Sequence, residues 1–343
     1  MAAPRAQRPA VLAVLAALAG AVVALVLGLL TFGVQATVHP HDVPLAVAVA
    51  ADAPPQLKAV GDQLASTPSD EVEWRVTTPA DARALLADDQ VYGVLELAPG
   101  KATVVLSGAI NPSGTQVAQQ VLGGVAQGLG LKTDVVTLNP ATAAGRAAPL
   151  AAGALLWIAG LAAGGLFTVL AKRSGPGPRL LGAATATVLG VGVVAGLLRL
   201  WDSTLPLNAD VLGFLALVAV AFALLQAGLF RLLGVRAMAI LGPLYLMAPA
   251  VAGQVPELLD PTYRALLWSW TPFRFSSETL RDLFQGGTVN ATALWVFGVM
   301  AVVGLVVVLL PGKKAEPDLA DRVVDVRVDQ ADRLPGAEHQ HTA

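Results

Sequence analysis

The chain has no cysteine in its 343 residues. Disulfides, thiolate metal sites and a thiol nucleophile are thereby excluded. Charge is scarce as well: 13% of residues are Asp, Glu, Lys or Arg, against ~25% in soluble domains. The shortage is local. Residues 11–34, 147–171, 180–198, 211–230, 237–256 and 289–312 contain no charged side chain at all. Each stretch is long enough for the ~20-residue helix that crosses ~30 Å of hydrocarbon. A soluble enzyme is excluded for most of the chain. A transmembrane barrel is excluded too, because its strands alternate and run only ~9–11 residues. The formal net charge of −2 argues against a nucleic-acid partner.

The chemistry-bearing motifs are missing in the same way. No G-x-x-x-x-G-K-[ST] loop is present to cradle ATP phosphates, and no H-E-x-x-H. The four histidines are His39, His41, His339 and His341. A zinc site wants three or four ligands, so His39-Pro40-His41-Asp42 reads as a polar linker. Neither a Ser-His-Asp set nor a catalytic carboxylate pair emerges. No catalytic, cofactor or metal site is expected. Ion-coupled transporters place ionisable side chains inside the membrane, and these spans have none. Their most polar residue is Gln226, which suits a helix–helix hydrogen bond worth about 1 kcal/mol.

What is present reads as an α-helical polytopic membrane protein. Six transmembrane helices and a small extracytoplasmic α/β domain between helices 1 and 2 are expected. Residues 1–10 are a cytoplasmic N-terminus and 11–34 the first span. Val34-Gln35-Ala36 resembles a signal cleavage site, but a signal core runs only ~7–15 apolar residues, so an uncleaved anchor is expected. Residues 35–146 are the soluble block. Leu45–Ala50, Val72–Val76, Val91–Leu97 and Thr103–Leu106 read as strands. Pro54–Ser66 has apolar residues at helical spacing. Thr78-Pro79-Ala80-Asp81 and Asn111-Pro112 read as helix starts. The block carries six Lys and Arg against eleven Asp and Glu, a poor match to anionic headgroups.

Residues 147–312 read as a five-helix bundle. Basic residues gather at Arg5 and Arg8, at Lys172, Arg173 and Arg179, at Arg231 and Arg236, and at Lys313 and Lys314. Counting six spans puts all four groups on one side, as cytoplasmic loops require, with both termini inside and 35–146 outside. Gly160-x-x-x-Gly164 and Gly192-x-x-x-Gly196 allow close helix packing. Residues 257–288 read as an outer interfacial segment with one or two short helices. Trp268 and Trp270 suit the membrane interface there. Phe275, Leu280, Leu283 and Phe284 offer an apolar face, with Glu278, Arg281 and Asp282 among them. Two readings of Arg281 stay open: a charge on a solvated helix, or a half-dry residue that holds an outer gate or touches lipid headgroups. The tail 313–343 reads as cytoplasmic and disordered, although Val323–Asp329 alternates like a strand.

This layout resembles the permeases of type-2 ABC transporters, in particular the YhgE/Pip-like branch. The resemblance rests on Trp74, on Thr78-Pro79-Ala80-Asp81-Ala82, on Tyr92-Gly93-Val94-Leu95 and on Leu97-Ala98-Pro99 in the soluble block. It rests also on Thr271-Pro272-Phe273 and on Leu280-Arg281-Asp282-Leu283-Phe284-Gln285-Gly286 before the last span. Leu283-Phe284-Gln285 departs from that pattern, where two aromatics and a glycine are usual. The resemblance implies a permease subunit of an ABC-type exporter in the cell membrane, working as a homodimer or heterodimer. It implies a separate ATP-hydrolysing subunit, for which Lys172, Arg173 and Arg179 form a candidate docking loop. The competing reading is a non-transporting membrane protein whose outer domain docks a phage, a secretion apparatus or an envelope partner.

Overall fold

The computed structural model describes residues 7–171 and 174–311. The strand-like tail segment, His339, His341, Lys172 and Arg173 lie outside them. The first helix, α1 (Gln7–Gly28), continues through a π-helical turn (Leu29–Gly33) to Ala36. Val11 and the apolar side chains from Ala13 to Leu25 are exposed. Such a helix needs lipid or another protein about it. Among the described residues, its last turns touch the rest of the chain: Val34 is buried with Met247, Val251 and Leu259, and the Tyr263 hydroxyl donates to the Leu29 carbonyl at 3.0 Å.

The sheet domain follows. Its elements are β1 (Val43–Val49), α2 (Pro55–Ser66), β2 (Val72–Thr77), α3 (Pro79–Ala87), β3 (Val94–Ala98), β4 (Lys101–Ser107), α4 (Pro112–Gly128) and β5 (Lys132–Leu138). The order across the sheet is β2-β1-β3-β4-β5. All neighbours are parallel except the β3–β4 hairpin. The two helix starts are built as the residue types demand. Thr78 accepts the Asp81 N–H, Asn111 accepts the Ser113 N–H, and proline follows each cap. Strand β5 is an addition to the expected set. It is an edge strand, mostly exposed on both faces, so it carries no apolar alternation to read.

The bundle contains α5 (Ala143–Leu170), α6 (Pro176–Trp201), α7 (Ala209–Leu233), α8 (Met238–Met247), α9 (Pro272–Phe284) and α10 (Ala291–Leu309). Among the described residues, five helical runs are long and apolar enough to cross a membrane. One of these, Ala209–Ala252, is 44 residues long. A straight helix of that length measures ~66 Å, about twice the hydrocarbon thickness. It is not straight. Gly234 has φ +59°, a conformation glycine adopts without penalty. Beyond it, Met238 packs beside Phe230 at Gly165. Trp157 holds Gln226 and Leu241 at one level: it accepts the Gln226 Nε2–H at 3.0 Å and donates its indole N–H to the Leu241 carbonyl at 3.2 Å. The run is a hairpin of two helical limbs.

The glycine pairs divide. Gly160 and Gly164 seat Gln226 and Phe230 of α7, whereas Gly192 and Gly196 face open space. The tightest approach is elsewhere. A Cβ on Gly304 of α10 would strike the backbone of Leu224 and Leu225 in α7. Gly304→Leu is therefore expected to lower stability by about 1–3 kcal/mol, the cost of overpacking. Gly192→Leu, pointing outward, should stay within about 0.5 kcal/mol. Denaturant or thermal unfolding of the purified protein in one detergent compares them. Equal losses would mean that the α7–α10 contact is not made.

Candidate functional site

Helix α9 defines the site, and it does not lie on a surface. Its first turn is at the middle of the bundle. The Phe273 ring is 5.2 Å from Trp157 and 5.6 Å from Phe222, centroid to centroid. Trp157 and Phe222 are halfway along α5 and α7. From there α9 rises for 13 residues, ~20 Å, and ends beside the first turn of α5. Phe273, Phe275, Ser276, Ser277, Thr279, Leu280 and Leu283 are all buried. The segment expected at an interface over 257–288 includes a helix packed inside the bundle. The physical reason is the Pro272-Phe273 start: proline opens the helix and the phenylalanine fills the aromatic cluster. Backbone of this kind is tolerated at depth only inside protein.

The segment that leads into α9 is clamped by the sheet domain. Val255 and Leu258 are buried in the domain's core with Val43, Leu45 and Leu95. The backbone N–H groups of His39 and His41 donate to the carbonyls of Leu258 and Glu257, at 3.2 and 2.8 Å. The Val255 N–H donates to the Ser113 hydroxyl at 3.1 Å. The Tyr92 hydroxyl donates to Glu257 Oε2 at 2.7 Å. His39 and His41 stack on each other. Among the described residues no cluster of three metal-ligating side chains exists.

Arg281 is half-buried near the end of α9 and lines two cavities. One, of about 210 Å³, is shared with Thr142, Arg146, Asp202 and Gln285. The other, of about 240 Å³, is shared with Asp89, Tyr92, Asn111, Glu278 and Asp282. Between the open readings of Arg281, the half-dry one describes its setting. Burial pulls its pKa down, and Glu278, Asp282 and Asp89 pull it back up. No carboxylate forms an ion pair with it within 4.0 Å among the described residues. Glu278 instead bonds Arg274 at 3.2 Å, and the Arg274 guanidinium lies 3.7 Å above the Trp268 ring.

The remaining residues of the sequence set divide between site and surface. Phe275 is buried beneath Arg274, 4.5 Å from its guanidinium, and Phe284 packs on the bundle core. Trp270 is half-exposed, its indole N–H on the Leu266 carbonyl. Arg179 is in the first turn of α6 and 8% exposed, so its side chain is folded inward from the loop. Asp89, Tyr92 and Glu257 join the site without having been singled out. Asp89 follows α3 with φ +55°, and an aspartate after a helix is a turn residue on sequence grounds. Asp202 is a further addition. Thr142, the cap of α5, donates to it at 2.6 Å, and Thr204 at 2.5 Å; these bonds hold its carboxyl below the usual range.

Comparison of the chain with protein-family models, curated proteins and solved structures gives no match.

The carboxyls around Arg281 are shifted upward. Burial raises Glu278, Asp89 and Asp282, and Asp282 is pushed up to about 6, with the Asp89 charge adding to the effect. An unfolded Asp titrates near ~3.9. Between pH ~4 and ~6 the folded chain therefore holds a proton that the unfolded chain has lost, and stability falls as pH rises through that window. Asp282→Asn should raise the unfolding temperature at pH 7.5, with the gain shrinking to nothing below about pH 4. A gain independent of pH, or a loss at pH 7.5, would mean that attraction to Arg281 outweighs burial.

Proposed function

We propose that this chain is a membrane permease subunit of an ABC-type exporter, moving a substrate out of the cytoplasm with energy from a separate ATPase. The observation that carries the reading is helix α9, packed inside the bundle. It joins the middle of an uncharged bundle to a polar junction under the sheet domain, so a movement at mid-depth reaches that junction through one rigid rod. The stretch Thr271–Gly286, on which the family resemblance rests before the last span, is the stretch that forms this helix. The hairpin at Gly234 supports six crossings, with the limb 238–252 as the fifth. Six crossings place the sheet domain outside the cell membrane and both termini in the cytoplasm. The chain works as a homodimer or heterodimer, and α1, with its exposed apolar side chains, is available to that contact or to lipid. The ATPase docks on the loop of Lys172, Arg173 and Arg179. No cofactor is needed.

One feature favours the second reading, an outer docking module. Val135 and Val136 of the edge strand β5 are exposed, and an exposed sheet edge accepts a strand from a partner.

The absence of cysteine makes orientation easy to measure. Single cysteines at Ser66 and Ser203 should react with an impermeant maleimide on intact cells, and one at Ser174 should not. The reverse pattern overturns the orientation.

Coupling is tested separately. The purified chain alone should hydrolyse no ATP, having no phosphate-binding loop. Lys172→Glu with Arg173→Glu should reduce the ATPase that co-purifies with it at unchanged expression. If no ATPase co-purifies with the wild type, the exporter reading falls and the docking reading remains.

A further inference from the structure

Arg179 is 8% exposed and has no hydrogen bond or ion pair among the described residues. Its guanidinium rests over the Phe167 ring at 5.5 Å. The charge that bears on it is a second guanidinium, Arg231, whose Nη1 donates to the Val308 carbonyl. The nearest acidic residue along α6 is Asp202, ~35 Å away at the other end. A buried charge without a counter-charge is costly, so the arrangement is incomplete among the described residues.

The side chain lines a cavity of about 90 Å³ between α5, α6 and α7, with Gly160, Gly164, Phe167, Gly182 and Phe230. The cavity extends from mid-depth at Gly160 to Phe167 near the end of α5, ~10 Å along the axis. Apart from Arg179 its walls are apolar. A narrow apolar slot with a lone cation at its water-side end fits an anion that carries a chain. Inorganic phosphate satisfies the cation and leaves the slot empty. A phospholipid does both: its phosphate meets Arg179 and its first methylenes lie along the glycines.

We propose that this cavity binds one anionic phospholipid, with the headgroup phosphate on Arg179 and an acyl chain between α5, α6 and α7. Basic pockets between membrane helices hold anionic headgroups in this way on the cytoplasmic side. Only the choice of leaflet rests on the orientation proposed above. An ATPase that fails to co-purify leaves the lipid site untouched.

The test is native mass spectrometry of the full chain in neutral detergent, titrated with phosphatidylglycerol, phosphatidylcholine or inorganic phosphate. The wild type should hold one phosphatidylglycerol at least about tenfold tighter than phosphatidylcholine, a difference of ~1.4 kcal/mol. Arg179→Gln should lose that preference and Arg179→Lys should keep most of it. Gly182→Leu should weaken binding by a similar factor with the charge intact. Its new Cβ would meet only the Phe167 ring, at 3.9 Å, so the side chain fills the slot without straining the backbone. Excess inorganic phosphate should not displace the lipid. A preference that survives in Arg179→Gln overturns the proposal, as does unchanged binding in Gly182→Leu. Displacement by inorganic phosphate overturns it as well, making the site one for a soluble anion.

Discussion

The aromatic cluster at the middle of the bundle is the contact on which the rest depends. Trp157 meets Phe222 edge-on at 4.9 Å, and both meet Phe273; Phe222 also meets Phe297 at 5.8 Å. Four helices, α5, α7, α9 and α10, each supply a ring. Ring pairs of this geometry add ~0.5–1.5 kcal/mol apiece beyond the area they bury. In lipid that contribution matters more than in water, because the hydrophobic effect does not drive helices together there. Trp157 also ties in α8 and α7 through its indole N–H and its carbonyl. A single side chain thereby fixes both limbs of the Gly234 hairpin and the depth of α9.

Depth has a consequence for polar groups. A helix that begins at mid-depth brings the free N–H groups of its first turn with it. Proline at the first position of α9 removes one of them. The Ser276 hydroxyl is buried without a partner one turn later, and Gln226 uses its amide N–H while its Oε1 stays unpaired. These orphaned oxygens are close to the α5 glycines, Ser276 at Gly153 and Gln226 at Gly160. Unpaired buried groups of this kind each cost about 1–3 kcal/mol. The Ser276 oxygen lies along the α5–α9 contact, which is held less firmly than the ring cluster below it, whereas the Gln226 oxygen lies between α5 and α7. Motion of α9 is therefore easiest about its inner end, pivoting on Phe273, with the larger displacement at Arg281.

The sequence made some of this legible and hid the rest, for identifiable reasons. Strands β1 to β4 and helices α2 to α4 announce themselves by the apolar residues they bury, and α3 and α4 also by their caps, Thr78 and Asn111, and the prolines after them. Strand β5 has no buried face, and its Lys132, Asp134 and Thr137 look like loop. The charge-free runs mark the bundle, but composition cannot tell a hairpin from a rod, and the reversal at Gly234 depends on one backbone angle. For α9 the apolar residues were visible and their depth was not. Depth is set by what Phe273 packs against, and Trp157 and Phe222 are distant in sequence. Arg281 was found from its type and neighbours, yet Glu278 belongs to Arg274, because the i,i+4 reach was taken before the i,i+3 one. Asp89, Tyr92 and Glu257 come together only through the tertiary fold.

The two ends of the bundle differ in the way they handle charge, and this follows from the chain path. At the sheet-domain end three elements converge: the loop after α3, the segment 254–258 and the end of α9. Each brings its own ionisable groups, so Asp89, Glu257, Glu278, Arg281 and Asp282 share a confined space with mixed sign. Burial there raises Asp89, Glu278 and Asp282 and lowers Arg281. At the far end helix termini meet, and the described charges there include Arg179 and Arg231. Mixed charge can compensate internally and respond to pH or to a shift of α9. The bundle between them is uncharged, so the polar junction and the basic end communicate through packing alone, along α5 from Thr142 to Phe167.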